Sequence, residues 1–209
     1  MKAVNMKIAI GAGHSPNCRG ASGNGYDEHD EAVKCVNYFI SLCNKHNVTV
    51  YNCFDASSNA STNLVNQVAK ANAHNVDLAI QWHFNSFVLP TSNGTEVYYY
   101  KGSEAGAKYA RLAQDAIFKS LTTKSRGIKT NSLYWTTNTN APAILIETCF
   151  ISNKKNMEKY SKYWKKMVQD VFTALTGIEA GSTYIKWTGS KFVNDTGTEV
   201  KVDPFILSE

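Results

Sequence analysis

Apolar positions along the chain follow two alternating rhythms. Lys7–Ile10 is a short apolar run ending in Gly11-Ala12-Gly13, which predicts a strand entering a loop. The loop continues through Gly20, Gly23 and Gly25 among Ser and Asn residues. From Glu28 the period changes. Val33, Val36, Ile40 and Cys43 recur at three and four residues and predict a helix with one apolar face. Val48–Phe54, β-branched and aromatic, predicts a second strand. Leu64, Val68 and Ala71 mark a second helix ending near Asn75, and Leu78–Trp82 a third strand. Asn93-Gly94 signals a turn before the alternating segment Glu96–Tyr100. Ala110, Ala113, Ile117 and Leu121 predict a third helix, and Ala143–Ile146 a continuous apolar strand after Pro142. The clearest helical period is the last: Tyr160, Trp164, Met167, Val168, Val171, Phe172 and Leu175, closed by Gly177.

Strands alternating with helices predict an α/β fold, a single twisted, mostly parallel sheet covered by helices, over residues 6–177. After Gly177 the pattern changes. Tyr184–Trp187, Lys191–Val193 and Thr198–Val202 read as short strands, so 178–209 is expected to be a short β-rich C-terminal tail. It is too short for a core of its own. It reads as a docked hairpin, a reduced binding element or an oligomerisation element.

Composition narrows the class. The chain has 209 residues, 43% hydrophobic and 19% charged, which supports one good-sized core and excludes a disordered chain. The formal charge of +5 suits an anionic partner, but Lys and Arg are scattered without a dense run, so no nucleic-acid partner is expected. No stretch approaches the roughly 20 apolar residues of a membrane span, so no membrane partner is expected either. Residues 1–10 lack the apolar core of a signal peptide, which predicts synthesis in the cytoplasm without an export signal. Met6 stands just before the first strand, leaving residues 1–5 as a leader or an alternative start. The five cysteines, Cys18, Cys35, Cys43, Cys53 and Cys149, are odd in number and include no CxxC pair. Free, mostly buried thiols are expected, not a disulfide framework or a cysteine zinc site.

In open α/β sheets, sites form at the carboxyl ends of strands. His14 lies just past the first predicted strand, His83 ends the third and Glu147 ends the last, while Glu28 opens a helix. A catalytic zinc takes three protein ligands from His and Glu and leaves a fourth position for water, and a nearby carboxylate moves the proton. His14, Glu28, His83 and Glu147 supply such a set. Each has a plain alternative: a loop histidine, an acid at a helix N-terminus, a core imidazole. Glu147 is the most suggestive, because a carboxylate directly after a buried run is costly without a partner. His29, His46 and His74 read as structural.

Several segments then fall into a familiar order. Lys7-Ile8-Ala9-Ile10-Gly11-Ala12-Gly13-His14, Gly25-Tyr26-Asp27-Glu28-His29-Asp30, Trp82-His83-Phe84-Asn85-Ser86, Gly94-Thr95-Glu96-Val97-Tyr98-Tyr99, Arg126-Gly127-Ile128-Lys129 and Pro142-Ala143-Ile144-Leu145-Ile146-Glu147 with Phe150-Ile151-Ser152-Asn153 resemble the blocks of the zinc-type N-acetylmuramoyl-L-alanine amidases, the Amidase_3 family. The resemblance covers residues 6–177. It implies Zn2+ held by His14, Glu28 and His83, Glu147 as catalytic acid and base, and hydrolysis of the amide between the muramic acid lactyl group and L-alanine of bacterial peptidoglycan. It also places Asn85 and Arg126 where they would contact substrate. Ser15-Pro16-Asn17-Cys18 after the first histidine, and Cys149 after the glutamate, depart from the family pattern; Glu31, one turn after Glu28, is a rival ligand.

Two other classes compete. A zinc carboxypeptidase-like enzyme acting on wall peptides would carry its first ligands as His-x-x-Glu, whereas His14 and Glu28 are fourteen positions apart. A non-catalytic wall-binding module would not need all four chemical positions. A wall enzyme without an export signal implies a phage or prophage endolysin, acting after release or lysis. The tail would then be a wall-recognition or oligomerisation element; the sequence does not fix the oligomeric state.

Overall fold

The computed structural model describes residues 6–181, 186–188, 190 and 192–193. Its elements, in chain order, are β1 (Lys7–Ala12), β2 (Ser22–Gly23), β3 (Tyr26–Asp27), α1 (Glu28–Lys45), β4 (Thr49–Asn52), α2 (Ala60–Asn72), β5 (Leu78–Asn85), β6 (Thr95–Tyr99), α3 (Glu104–Leu121), β7 (Ser125–Thr130), α4 (Tyr134–Asn138), β8 (Ala143–Phe150), α5 (Lys154–Thr176), β9 (Lys186–Trp187) and β10 (Phe192–Val193). Six strands form one sheet in the order β4-β1-β5-β8-β6-β7. Every pairing is parallel except β6 with β8. The expected mostly parallel, helix-covered sheet is therefore what forms.

The period of two along each strand sorts side chains between two layers. Ile8, Ile10, Leu78, Ile80, Trp82, Phe84, Ile144 and Ile146 pack with buried residues of α1, α3 and α5. Ala9, Ala79, Ala143 and Leu145 face the other way, against Val68 and Ala71 of α2 and Trp135 of α4. Among the described residues, α2 and the short α4 cover this second face, and that leaves room for a cavity there. The same alternation puts Gln81, His83 and Asn85 on the thinly covered face, beside Leu145 and Glu147 of β8, where His83 is directly opposite Glu147.

Strand ends differ from the expectation. β5 runs on to Asn85 and β8 to Phe150, so His83 and Glu147 lie inside strands, not at their ends. The apolar run stops at Ile146, but pairing with β5 and β6 on both sides carries the backbone further. β7 and α4, and the β2–β3 ribbon, were not legible in the apolar pattern. β7 reads Ser-Arg-Gly-Ile-Lys-Thr and, among the described residues, is an edge strand paired with β6. In the tail, β9 and β10 form an antiparallel pair; the expected strand Thr198–Val202, the first residues of Tyr184–Trp187 and Lys191 of Lys191–Val193 lie outside the described residues. All five cysteines are free, and Cys35, Cys43, Cys53 and Cys149 are buried.

Candidate metal centre

β1 delivers the chain to Gly13, whose N–H donates to the Trp82 carbonyl at 2.7 Å, and His14 follows with φ at +64°. A left-handed backbone is uncommon for a non-glycine residue and persists where surrounding contacts enforce it. The enforcing contacts are visible: Ser15 and Cys18 exchange backbone hydrogen bonds at 3.1 Å, and the buried His29 Nδ1 donates to the Gly13 carbonyl at 3.0 Å. His29 thus holds the loop that carries His14.

Glu28 is the first residue of α1, capped by Asp27, whose side chain accepts from the His29 N–H. Its carboxylate is buried and divides its contacts. Oε2 lies 3.1 Å from His14 Nε2 and accepts from Ala21 N–H at 2.9 Å. Oε1 lies 3.0 Å from His83 Nδ1 and accepts from Phe84 N–H at 3.2 Å. Burial alone would raise the Glu28 pKa, but the hydrogen bonds of His14 and His83 outweigh it and hold the group well below the usual carboxylate range. One nitrogen or oxygen from each of His14, Glu28 and His83 falls within 4.8 Å of the others. Two imidazoles and a carboxylate are a donor set that could hold a divalent metal. The backbone leaves space for them: a Cβ at Gly20 would stand 2.5 Å from Glu28 Oε2 and from the His14 ring.

The two imidazoles border a cavity of about 390 Å³. His14, Gln81, His83, Asn85, Leu145 and Glu147 line its inner side, with Asn63 and Leu64 of α2 and Leu133 and Tyr134 near α4 on its flanks. Glu147 contributes a carboxylate whose Oε2 is buried with no hydrogen-bond partner. Burial, reinforced by the carboxylates of Glu28 and Glu96, raises its pKa well above the ordinary value. Its place in the cavity lining and its raised proton affinity make Glu147 a candidate proton-transfer group.

Of the residues singled out in the sequence, the structure brings His14, Glu28 and His83 together and sets Asn85 and Glu147 in the cavity beside them. Arg126 stands apart from the cavity lining: its Nε donates to Glu96 and its guanidinium sits 5.0 Å from the centre of the Phe150 ring. Glu31, the rival ligand, points away, accepting from Lys34 Nζ at 2.6 Å and Tyr160 OH at 2.7 Å. His46 Nε2 lies 3.3 Å from the Ala180 carbonyl, and His74 stacks on Tyr51 at 3.7 Å.

Glu96 was not singled out in the sequence. It is buried, opposite Glu147 in the sheet, and gathers Arg126, Lys129, Tyr98 OH at 2.9 Å and Asn85 Nδ2 at 2.8 Å. Burial works to raise its pKa, and the bonds from Lys129, Arg126 and Tyr98 overcome it to lower the value. The alternation of Glu96–Tyr100 was the signal: Glu96 and Tyr98 share one strand face.

The chain matches known proteins both in sequence and in fold. The Amidase_3 family, N-acetylmuramoyl-L-alanine amidase, matches residues 8–177. An uncharacterised 38.4 kDa protein of Clostridium perfringens is 36% identical over 163 residues, 74% of this chain and 46% of that protein. The endolysin of Bacillus phage SPP1 is 34% identical over 158 residues, 72% of this chain and 57% of that protein. The chain thus spans about half the length of these curated relatives. Among solved structures, the catalytic domain of the CD27L endolysin targeting Clostridia difficile superposes with a TM-score of 0.75 at 24% identity, covering 82% of this chain and 97% of that one. At that identity the likeness establishes the fold.

Proposed function

The chain belongs to the Amidase_3 family of N-acetylmuramoyl-L-alanine amidases, and from that premise we propose that it hydrolyses the amide between the muramic acid lactyl group and L-alanine in bacterial peptidoglycan. The observation that carries the reading is the convergence of His14, Glu28 and His83 within 4.8 Å beside the cavity that also receives Glu147. Zinc suits the donor set, and when bound it supplies an acidified water and polarises the scissile carbonyl. His14 and His83 offer imidazole nitrogens, and Glu28 offers a carboxylate kept ionised by its neighbours.

Glu147 takes the proton of the attacking water at its unpaired oxygen and returns it to the alanine nitrogen as that leaves. Its raised proton affinity fits both halves of that role. A bound cation would offset part of that rise and favour the ionised carboxylate that accepts the proton. Asn85, fixed by Glu96, presents its amide to the peptide. Arg126 and Lys129, gathered on Glu96, form a positive edge suited to a stem-peptide carboxylate.

Residues 6–177 form the catalytic unit in this reading, and 178–209 a short extension for wall recognition or self-association. No helix among the described residues is long and apolar enough to cross a membrane. The proposal places the enzyme in the cytoplasm after synthesis and on the wall after release, in the manner of an endolysin.

Zinc content and digestion of purified walls test the reading, with Glu147→Gln alongside. One zinc per chain, release of new N-terminal L-alanine, and a variant that keeps its metal but loses about 10²–10⁴-fold in rate are the expected results. Release of a different amino terminus or of a D-amino acid would make the enzyme a wall peptidase. Absence of zinc binding would dismantle the ligand set.

A further inference from the structure

A line of buried amides runs from the start of α2 to His83. Asn63 Nδ2 donates to the Asp55 carbonyl at 2.8 Å, and Asn63 Oδ1 accepts from Gln67 Nε2 at 2.8 Å. Gln67 Nε2 also donates to the Ala12 carbonyl at 3.0 Å, while Gln67 Oε1 accepts from Gln81 Nε2 at 3.1 Å. Gln81 Oε1 then stands 3.2 Å from His83 Nε2. Asn63, Gln67 and Gln81 are only 1–2% exposed. Gly11, in the middle of β1, makes way for the crossing: a Cβ there would lie 2.4 Å from Gln67 Oε1.

The direction of this line is forced. A backbone carbonyl only accepts, so Asn63 and Gln67 must turn their NH2 groups to Asp55 and Ala12. Each then has its oxygen left for the next amide, and Gln81 has its oxygen left for His83. The Asp55 carboxylate reinforces the start of the line, accepting weakly from Asn63 Nδ2 at 3.4 Å. Hydrogen bonds led by Ser57, against a smaller effect of burial, hold its pKa down to about 2, so it stays an acceptor. At the other end, among the described residues, the group placed to satisfy Gln81 Oε1 is an N–H on His83 Nε2. The ring's second nitrogen, Nδ1, lies 3.0 Å from Glu28 Oε1, where a proton bridges the pair and a metal would take that proton's place.

We propose that Asn63, Gln67 and Gln81 are positioning residues that commit His83 to a protonated Nε2 and so aim its Nδ1 lone pair at the metal. This rests on the reading of His83 as a metal ligand. Metal-bound histidines are commonly oriented by a partner on the far nitrogen. Here the partner is a neutral side-chain amide whose own orientation is set by backbone carbonyls of β1 and of the loop before α2. No oxygen in the line can turn without stranding a buried donor or acceptor.

The test uses the full zinc-loaded chain with 15N-labelled histidine. Long-range proton–nitrogen spectra are expected to show His83 protonated at Nε2 and metal-bound through Nδ1. Zinc bound through Nε2 would overturn the proposal with no variant needed. Gln81→Met, which removes the acceptor, should weaken zinc binding by about 10–100-fold, with the folded state checked by thermal melting. Gln67→Leu, which never touches His83, should weaken it less and let the His83 Nε2 proton exchange faster. Wild-type affinity in Gln81→Met, or an unchanged Nε2 proton in Gln67→Leu, would refute the relay while leaving the metal site standing. If wild type binds no zinc, the metal reading falls and this inference falls with it.

Discussion

At Gly13 the backbone passes so close to His83 that an added Cβ would stand 2.2 Å from the ring's Cε1 and 2.4 Å from Nδ1. The ring cannot retreat, because Gln81 holds its far side and Glu28 its near side. Gly13→Ala should therefore displace the imidazole from the donor set. Overpacking of this kind costs about 1–3 kcal/mol, small enough to leave the chain folded. Zinc titration and a thermal melt on the same sample check the expected outcome, which is a folded protein whose zinc affinity has fallen at least about 10-fold. Affinity equal to wild type would mean the ring has other room. The residues that carry charge or imidazole at turning points of the pattern, His14, Glu28, His83 and Glu147, could be picked out from the sequence. Gln67 and Gln81 could not. A glutamine in an apolar segment gives no sign of which neighbour it will meet, and Gln67 meets Gln81 only because α2 lies across β1 and β5.

Among the elements, α5 shows how a cap can do two jobs. Asn153 accepts from the Asn156 N–H at 3.0 Å as the N-cap of α5. Its Nδ2 also donates to the carbonyls of Pro90 at 2.9 Å and Ser92 at 3.0 Å. Asn156 continues the tie, accepting from Gly94 N–H and Phe150 N–H, both at 3.2 Å. The loop between β5 and β6, which begins right after Asn85, is thereby fastened to the start of α5. By contrast, Asn59 caps α2 with bonds to Thr62 alone, in an exposed setting. Replacing a cap costs about 1 kcal/mol, and each net hydrogen bond about another 1. Asn153→Ala should thus lose roughly 2–3 kcal/mol in urea denaturation, against about 1 for Asn59→Ala. Equal losses would show that the loop ties contribute nothing. The long helices were legible because burial on one side imposes a period of three to four. β7 and α4 were not, because each is short and takes its form from a neighbour: β7 from its ladder with β6, α4 from packing Trp135 beneath Leu145.

Across the whole molecule, the donor set joins three segments that are far apart in sequence: the loop after β1, the first turn of α1 and the inside of β5. Their meeting is a property of the folded state alone, since the unfolded chain holds no such cluster. A metal bound there stabilises the fold by mass action, about 2.7 kcal/mol at a free concentration 100 times Kd. For a chain of this size each kcal/mol moves Tm by roughly 2–4 °C, so zinc should raise Tm by about 5–11 °C over a chelator-treated sample. The pattern across variants separates binding from chemistry. Glu147→Gln should keep the whole shift, because Glu147 is outside the donor set, while His83→Ala should lose nearly all of it. Arg126→Ala should keep the shift as well, since its guanidinium reaches the site only through Glu96. Differential scanning calorimetry of these three variants with and without zinc reads the outcome directly. A shift that survives His83→Ala would place the metal somewhere other than beside Glu28.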